Sequence, residues 1–471
     1  MIIEQIYTGC LAQGAYYIES NGEAAIIDPL REVQPYLDKA AKNDATIKYV
    51  FETHFHADFV SGHIDLSEKS GAPIVYGPNA NPDFDFISAK DGQEFKLGNI
   101  TIKVLHTPGH TMESTCYLLI DENGKETALF SGDTLFIGDV GRPDLAQKVV
   151  ADLTQDKLAA LLYDSLRNKI MTLSDDIVIY PAHGAGSACG KKMSKETTDS
   201  LGNQKKTNYA LRSDMTEDEF VSELLNGLVT PPGYFPKNVV MNLKGYESLD
   251  EVLKRAQTPL SVSEFEKIIQ QEDVLILDTR NASDFSSAFI KNSLNIGIDG
   301  SFAMWVGEMI SDINQKIVLV TDPGREEECM IRLSRVGYDH TIGYLKGGID
   351  QWRKEGKPVC EQSRITAEEM QEMMDSIHPL LIDIRKKSEY EAEHVMGSIN
   401  IPLNQLYWSL DQFPEDKFFI IFCAGGYRSM IAASILRQKG FTNFVDVIGG
   451  FKEIGATTIP CSEYVCPSTL L

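Results

Sequence analysis

Short apolar runs alternate with polar turn segments over residues 1–245. Because these runs are rich in β-branched and aromatic residues and close at Gly, Pro or Asp, the pattern predicts β-strands. Five predicted strands deliver His, Asp or Gly at their C-terminal ends, which is how a rigid sheet presents a site on its loops. They lie within residues 22–30, 46–54, 100–110, 126–134 and 175–184.

The pattern changes near residue 258, and from there the chain repeats itself. The segment 274–296 aligns with 380–401, and 342–352 aligns with 445–454. Each copy alternates strands with helices, which predicts an open, mostly parallel α/β sheet. We therefore expect a first domain at 1–245, a helical linker at 246–257, and two copies of one small domain at 258–360 and 363–462.

Length, charge and cysteine content narrow the class of protein. A chain of 471 residues exceeds one ordinary core. Its 44 basic and 68 acidic residues give a net charge of −24, which disfavours nucleic acid and anionic membranes as partners. We see neither a signal peptide nor an apolar run of about 18 residues, and eight scattered cysteines suit a reducing compartment, so we expect a cytoplasmic protein.

The strongest chemical signal is a set of His and Asp residues that follow the predicted strands. Imidazole nitrogens and carboxylate oxygens suit a borderline divalent metal. A lone His is more often structural, but several such groups, each in a loop after a strand, indicate a metal site. The set comprises His54, His56 and Asp58 in THFHAD, His110 in TPGHT, Asp133 in SGDT and His183 in PAHG.

These motifs, in this order, resemble the metallo-β-lactamase fold, and specifically its glyoxalase II and persulfide dioxygenase branch. The resemblance covers about residues 1–245. It implies an αββα sandwich that holds the metal at one edge of its two sheets. The fold does not decide the reaction, because this superfamily holds hydrolases, dioxygenases and redox enzymes.

One departure from the family pattern concerns the number of metals. Phe59 stands where the two-metal hydrolases have a His that binds the second metal. Phenylalanine cannot bind a metal, so we do not expect a complete second site. Resemblance to persulfide dioxygenases implies a single ion held by His54, His110 and Asp133, and two imidazoles with one carboxylate suit non-haem Fe(II) and O₂.

The remaining residues of the set then belong to the pocket. His56, Asp58 and His183 would orient the ligands and the substrate. The alternative is that His56 is a ligand and that the metal is zinc.

Two further residues lie near these loops. Arg142 follows the S-G-D loop and matches an Arg that lies near the bound thiol in persulfide dioxygenases, so it is a candidate for binding an anionic thiol carrier. The alternative is a surface salt bridge. Cys189, in a Gly-rich stretch, is interpreted as a buried small residue.

The second copy contains a candidate nucleophile. An apolar strand ends at Cys423, a Gly-rich loop follows, and a helix is predicted to start near Arg428. Backbone N–H groups, a helix N-terminus and Arg428 would favour a thiolate and stabilise a persulfide. Four residues separate the two side chains, one fewer than in C-x5-R phosphatase loops, which favours sulfur over phosphate. The alternative is a cysteine that is merely packed.

The segment 363–460 resembles a rhodanese domain, in which Cys423 matches the persulfide-forming nucleophile. The first copy keeps the D-x-R and G-G turns, but we place Asp322 at the position of the cysteine and Cys329 inside the next helix. We therefore expect an inactive copy. Cys461 and Cys466 in the tail are interpreted as free thiols, with a sulfur relay as the alternative.

The order of the three domains resembles bacterial persulfide dioxygenase–sulfurtransferase fusions. The resemblance implies a single Fe(II) per chain, a low-molecular-weight thiol persulfide, O₂ and sulfite as small-molecule partners, and thiosulfate as product. It also implies a homo-oligomer, either a dimer or a tetramer. The main alternative is a glyoxalase II-like zinc thioesterase with a separate rhodanese activity, and a third is a sulfur-binding scaffold without catalysis.

Overall fold

The computed structural model describes residues 1–145, 153–228 and 230–465. Met1–Glu251 with Leu333–Tyr338 forms one compact unit, and Val252–Arg332 with the chain from Asp339 onward forms the other. Within these ranges no helix is long and apolar enough to cross a membrane. The seven cysteines in the described part are free thiols, and Cys466 lies outside it.

The first unit contains two six-stranded sheets. The first sheet follows chain order: β1 Ile2–Thr8, β2 Gln13–Ser20, β3 Glu23–Ile27, β4 Thr46–Phe51, β5 Ile74–Tyr76 and β6 Ile87–Ser88. The second sheet also follows chain order: β7 Glu94–Leu97, β8 Ile100–His106, β9 Thr115–Ile120, β10 Glu126–Gly132, β11 Val178–Pro181 and β12 Asp199–Ser200. The five strands predicted from the sequence are all present.

The inner faces of the two sheets share one buried cluster. Tyr16 and Ile27 from the first sheet pack with Tyr117 and Phe130 from the second. The rings of Tyr16 and Phe130 meet edge to face, with their centroids 5.0 Å apart. Burial of these alternating apolar side chains stabilises the pair of sheets.

Helices cover the outer faces. Tyr36 and Leu66, from α1 (Gln34–Lys42) and α2 (His63–Ser70), pack on the first sheet. Leu162 and Phe220, from α3 (Gln155–Ser165) and α5 (Glu217–Leu225), pack on the second. The αββα sandwich is therefore confirmed. The other helical segments are a π-helical turn at Leu166–Ile170, α4 Leu201–Thr207, a 3₁₀ turn at Tyr209–Leu211, α6 Phe235–Lys244 and α7 Leu249–Ala256, which lies in the predicted linker.

The second unit contains two five-stranded sheets whose strand pairs are all parallel. The first copy has the order β13-β17-β16-β14-β15, with β13 Pro259–Leu260, β14 Val274–Asp278, β15 Leu294–Asn295, β16 Lys316–Val320 and β17 Thr341–Leu345. The second copy has the equivalent order β18-β22-β21-β19-β20, with β18 Arg364–Ile365, β19 Leu380–Asp383, β20 Ile399–Asn400, β21 Phe419–Phe422 and β22 Phe444–Val447. The sequence repeat is thus a repeat of one fold.

The first helix of each copy begins with the same local motif. Ser261 and Glu264 form a reciprocal capping box, and Thr366 and Glu369 form its equivalent. The helices of the first copy are α8 Val262–Ile268, α9 Ala282–Ser287, α10 Phe302–Met309, α11 Glu326–Ser334 and α12 Gly348–Lys354. Those of the second are α13 Ala367–Ile377, α14 Lys387–Ala392, α15 Tyr427–Gln438 and α16 Gly450–Ile454, with 3₁₀ turns at Leu403–Trp408 and Leu410–Gln412.

Candidate metal centre and cysteine loop

Three of the predicted ligands meet in one buried group after strands β4, β8 and β10. Asp133 Oδ2 lies 3.4 Å from His110 Nε2 and 3.8 Å from His54 Nε2. Each of the three residues is only 2% exposed. Their ligand atoms lie within 4.8 Å of one another, so that one metal ion at a point between them could contact all three.

Hydrogen bonds orient both imidazoles toward that point. His110 Nδ1 lies 2.8 Å from the carbonyl oxygen of Arg142, so this nitrogen donates. His54 Nδ1 lies 2.9 Å from Thr53 Oγ1, whose proton is already donated to Asp28, so His54 Nδ1 must donate as well. In the neutral form of each ring, Nε2 then carries the free lone pair, which is the arrangement expected of a metal ligand.

The carboxylate of Asp133 also fits a metal. Both of its oxygens are buried and have no hydrogen-bond partner in the described protein. An isolated buried carboxylate is costly unless a cation compensates it. Burial lowers the pKa of His54 well below its ordinary value, which keeps the ring neutral and able to bind a metal. The residues present thus fit a divalent ion.

A second group lies on the other side of Asp133. His183 Nε2 is 3.5 Å from Asp58 Oδ2 and 3.6 Å from Asp133 Oδ1. With His56 these residues form another set whose ligand atoms converge. The structure therefore brings together all six residues singled out in the sequence, with Asp133 between the two groups.

His56 has carboxylate partners that the sequence did not single out. Its Nε2 lies 3.1 Å from Asp28 Oδ1 and 3.5 Å from Glu52 Oε2. Although burial acts in the opposite direction, Asp28 and Glu52 raise the pKa of His56 to about 9. A protonated imidazole is a poor metal ligand, although His56 Nδ1 has no hydrogen-bond partner among the described residues. Both carboxylates follow the C-terminal ends of predicted strands. This position was the indication in the sequence that they could belong to the site.

Phe59 is fully buried beside His56, with the two ring centroids 4.4 Å apart. The phenyl ring thus packs against the metal group and offers no ligand atom to it.

The guanidinium of Arg142 already has hydrogen-bond partners within the protein. Its guanidinium donates two hydrogen bonds of 2.7 Å to Asp144 and one to the carbonyl oxygen of Ala188, and it is 3% exposed. The ion pair considered in the sequence is present, but it is buried rather than on the surface. Binding of a substrate carboxylate by Arg142 would require this pair to open.

Cys189 is buried, as expected, and it also lies beside the metal group. Its sulfur falls within the set formed with Asp133 and His183. Burial raises the pKa of this thiol well above its ordinary value.

In the second copy, Cys423 follows strand β21 and is 1% exposed. The backbone N–H of Gly426 donates to its sulfur at 3.2 Å, and the Ser429 hydroxyl lies 3.5 Å away. Gly426, with φ +93°, turns the chain into helix α15. The predicted strand, loop and helix are therefore in place around a thiol that accepts hydrogen bonds.

Arg428 lies in the first turn of this helix. Its guanidinium donates to both carboxylate oxygens of Glu389, at 2.6 and 2.8 Å. Despite burial, which acts in the opposite direction, Arg428 lowers the pKa of Glu389. Glu389 therefore fixes the cation beside the cysteine loop.

The strand register corrects one assignment in the first copy. Val320 and Phe422 are equivalent, because each ends its strand opposite the Asp of its own D-x-R turn. The next residues are Thr321 and Cys423. Thr321, rather than Asp322 as predicted, therefore occupies the cysteine position, and the sequence alignment was wrong by one residue.

The glycine turns agree with this register. A Cβ on Gly450 would lie 2.2 Å from the carbonyl oxygen of Cys423, and one on Gly348 would lie 3.0 Å from that of Thr321. Threonine has no sulfur, so the expectation that this loop lacks a sulfur carrier still follows. Cys329 lies inside helix α11, as expected.

Comparison with known proteins extends this description. The model of the metallo-beta-lactamase superfamily matches residues 8–183, and that of the rhodanese-like domain matches 261–355 and 366–457. A structure of a metallo-beta-lactamase from Staphylococcus aureus is 31% identical, covers 74% of this chain and 99% of its own, and has a TM-score of 0.63. This chain belongs to the metallo-β-lactamase superfamily, and two rhodanese-like domains follow its metallo-β-lactamase domain.

Two further relatives match a smaller share of the chain. The probable hydroxyacylglutathione hydrolase SPCC13B11.03c of Schizosaccharomyces pombe is 32% identical over 35% of this chain and 60% of its own length. The structure of ETHE1 from Myxococcus xanthus is 28% identical, covers 51% of this chain and 100% of its own, and has a TM-score of 0.43. The chain spans about three fifths of the length of the curated relatives it matches.

Proposed function

We propose that the N-terminal domain is a non-haem Fe(II) persulfide dioxygenase and that the second rhodanese-like copy is a sulfurtransferase. The first reaction converts a thiol persulfide, O₂ and water into the free thiol, sulfite and two protons. The second uses sulfite and another persulfide to form thiosulfate and the free thiol. The two reactions together oxidise one persulfide and spend a second as the sulfur donor.

The buried group of His54, His110 and Asp133 carries the first half of the proposal. Two neutral imidazoles and one carboxylate would hold Fe(II) and leave other coordination positions open. When bound, Fe(II) supplies the redox chemistry that a reaction between O₂ and a sulfur compound requires. The fold buries all three side chains, so that they are held in place before a metal ion binds.

Phe59 supports a single metal. Its ring occupies the position of a second-metal ligand, and Asp28 and Glu52 engage His56 from the other side. A complete two-metal centre would need a ligand that this position does not offer.

Cys423 carries the second half. Its sulfur attacks the outer sulfur of a persulfide, so that a new S–S bond forms and the carrier leaves as a thiolate. Sulfite then takes the outer sulfur, which gives thiosulfate and returns the Cys423 thiolate. The Gly426 N–H and the nearby Arg428 favour the negative sulfur at both steps. Because the two domains are parts of one chain, sulfite from the first is concentrated near the second.

Metal analysis combined with an oxygen electrode tests the first half. The isolated protein should contain about one iron per chain, and it should consume O₂ only when a persulfide is added. A panel of glutathione, coenzyme A, bacillithiol and cysteine persulfides would identify the carrier. His110→Ala should lose both the iron and O₂ uptake, whereas His340→Ala, which removes an exposed imidazole, should keep both.

A zinc thioesterase is the second candidate. The names of the curated relatives indicate thioester hydrolysis in those proteins, and Asp58 and His183 lie on the far side of Asp133, where a second metal would be bound. About two zinc ions per chain, with hydrolysis of lactoylglutathione and no O₂ uptake, would establish this function instead.

A further inference from the structure

The loop between β4 and α2 carries three of the six residues around the metal centre, His54, His56 and Asp58. Its backbone is irregular, so side chains or other loops must pair its N–H and C=O groups. The whole loop is buried, and buried backbone groups need hydrogen-bond partners. The groups that supply these partners therefore decide how the loop presents its side chains to a metal.

One side chain, Asn242 of α6, pairs three of these backbone groups. Its Oδ1 accepts a hydrogen bond from the N–H of Ser61 at 2.9 Å. Its Nδ2 donates to the carbonyl oxygens of His56 and Phe59, each at 2.8 Å. Asn242 is fully buried, so water does not compete for these bonds. The amide thus bridges the loop on both sides of Phe59.

The contacts of Asn242 require a side-chain amide. An amide offers an accepting oxygen and a nitrogen that donates twice, which a carboxylate or an apolar side chain of similar size cannot do at once. The partners also fix which way the amide points, because an N–H must face its oxygen and carbonyls must face its nitrogen. Without the amide, one buried N–H and two buried carbonyl groups would lose a partner, which is costly.

Helix α6 also holds the loop through apolar contacts. Val239 and Leu243 pack against the cluster that contains Phe55, a residue of the same loop. The helix therefore contacts the loop with apolar side chains at Phe55 and with a polar one further along. It follows the last metal motif, at His183, in the chain, so the motifs gave no indication of Asn242.

We propose that Asn242 is a positioning residue for the metal centre. It fixes the backbone from His56 to Ser61, a stretch that contains Asp58. His54, one of the proposed ligands, stands only two residues earlier in the same loop. Release of this backbone would let His54 and Asp58 move away from the centre, because the loop carries both. The proposal rests on the metal site of the proposed function, but it depends neither on which metal is bound nor on the reaction with O₂.

Binding of Co(II) to the metal-free protein tests this role. Co(II) can replace Fe(II) or zinc, and its visible absorption depends on the arrangement of its ligands. Asn242→Ala removes all three hydrogen bonds, whereas Asn242→Asp keeps the acceptor and removes both donors. Both variants should bind Co(II) about tenfold to a hundredfold more weakly than the unchanged protein. The visible spectrum of the bound ion should change as well, which a general loss of stability would not produce.

Asn238 provides a matched control on the same helix. It is fully buried and lies one turn before Asn242, and its side-chain amide has no hydrogen-bond partner among the described residues. Asn238→Ala therefore removes a buried amide of the same size without removing a hydrogen bond to the loop. This variant should keep the Co(II) affinity and the spectrum of the unchanged protein.

Thermal unfolding of the metal-free variants shows which of them are folded. If Asn242→Ala folds poorly, Asn242→Asp has the size of the original side chain and provides the same comparison. A folded variant of Asn242 with unaltered Co(II) affinity and spectrum would overturn the role. Equal losses in Asn238→Ala would overturn it too, because they would not come from the bonds to the loop. If the unchanged protein binds no Co(II), the metal site of the proposed function is itself wrong.

Discussion

The two rhodanese-like copies share a fold and differ in chemistry. Both have five parallel strands in the same order, and both begin their first helix with a capping box. In both, the Arg of the D-x-R turn folds back on its Asp, as Arg280 does on Asp278 and Arg385 on Asp383. Because these features occur with and without a cysteine, they belong to the architecture rather than to sulfur transfer.

The chemical differences between the copies are concentrated after β21 in the second copy and after the equivalent strand, β16, in the first. After β21 stand Cys423 and Arg428, whereas the equivalent residues after β16 are Thr321 and Glu326. A negative side chain in place of Arg428 would oppose a thiolate or persulfide even if a sulfur were present. The comparison shows that a loop of this shape is not sufficient for a sulfur-transfer site. The charged residues around the loop must also favour a negative sulfur.

The largest expected effect comes from removing the sulfur. Cys423→Ser should abolish thiosulfate formation, because a hydroxyl cannot carry sulfane sulfur. Thr321→Ser, at the equivalent position of the first copy, should leave the rate unaltered. Thiosulfate production is the measurement. Normal production by Cys423→Ser would remove the functional difference between the copies.

The next effect concerns the cation. Glu389→Gln takes away the charged partner of Arg428, and the guanidinium then loses its fixed place beside Cys423. Sulfur transfer should slow by about tenfold. The matched control is Asp284→Asn, since Asp284 stands at the same distance from its D-x-R turn in the first copy. Equal slowing in both variants would mean that the acidic residue only supports the fold.

A smaller effect should come from the contact between the copies. The Tyr427 hydroxyl donates to the carbonyl oxygen of Gly297 at 2.7 Å, and a Cβ on Gly300 would lie 2.3 Å from the Tyr427 ring. Gly300→Ala should therefore displace the start of helix α15 and cost about 1–3 kcal/mol of stability.

Chemical denaturation and the thiosulfate rate measure this effect together. Gly356→Ala is a comparison variant, because a Cβ there meets nothing within 4 Å, although its positive φ adds some backbone strain. If Gly300→Ala lowers neither stability nor rate, the first copy does not support the cysteine loop through Tyr427.

The smallest effect should come from introducing a cysteine into the loop of the first copy. Thr321→Cys should leave thiosulfate formation unaltered, because Glu326 stands where the second copy has Arg428. Asp322→Ala should be equally silent. A gain of sulfur transfer in the double variant Thr321→Cys, Cys423→Ser would show that the surrounding charges matter less than the comparison implies.

Much of the fold and of the metal centre follows from the sequence, because strands that end in His or Asp at one sheet edge bring those residues together. His54, His56, Asp58, His110, Asp133 and His183 could be grouped on that ground, whereas the choice of His54, His110 and Asp133 as ligands came from the family resemblance. Asp28 and Glu52 could not, since a carboxylate after a strand is common and neither lies in a spaced motif. Their role emerges only when β3 and β4 pair side by side.

The misplaced residue in the first copy has a similar cause. Gly and Pro in the loop suggest an alignment at Asp322, but only the pairing of β16 with β14 decides which residue follows the strand. Arg142 shows another limit. The sequence places a cation near the site, but the structure is needed to find that Asp144 already binds it.

Product analysis during O₂ uptake tests the central claim most directly. The unchanged protein, given a thiol persulfide, should consume O₂ and release thiosulfate. Cys423→Ser should consume O₂ at a similar rate but release sulfite, because the second reaction is lost and the first is not. Absence of O₂ uptake in the iron-containing protein with every persulfide offered, or thiosulfate release by Cys423→Ser, would contradict the account.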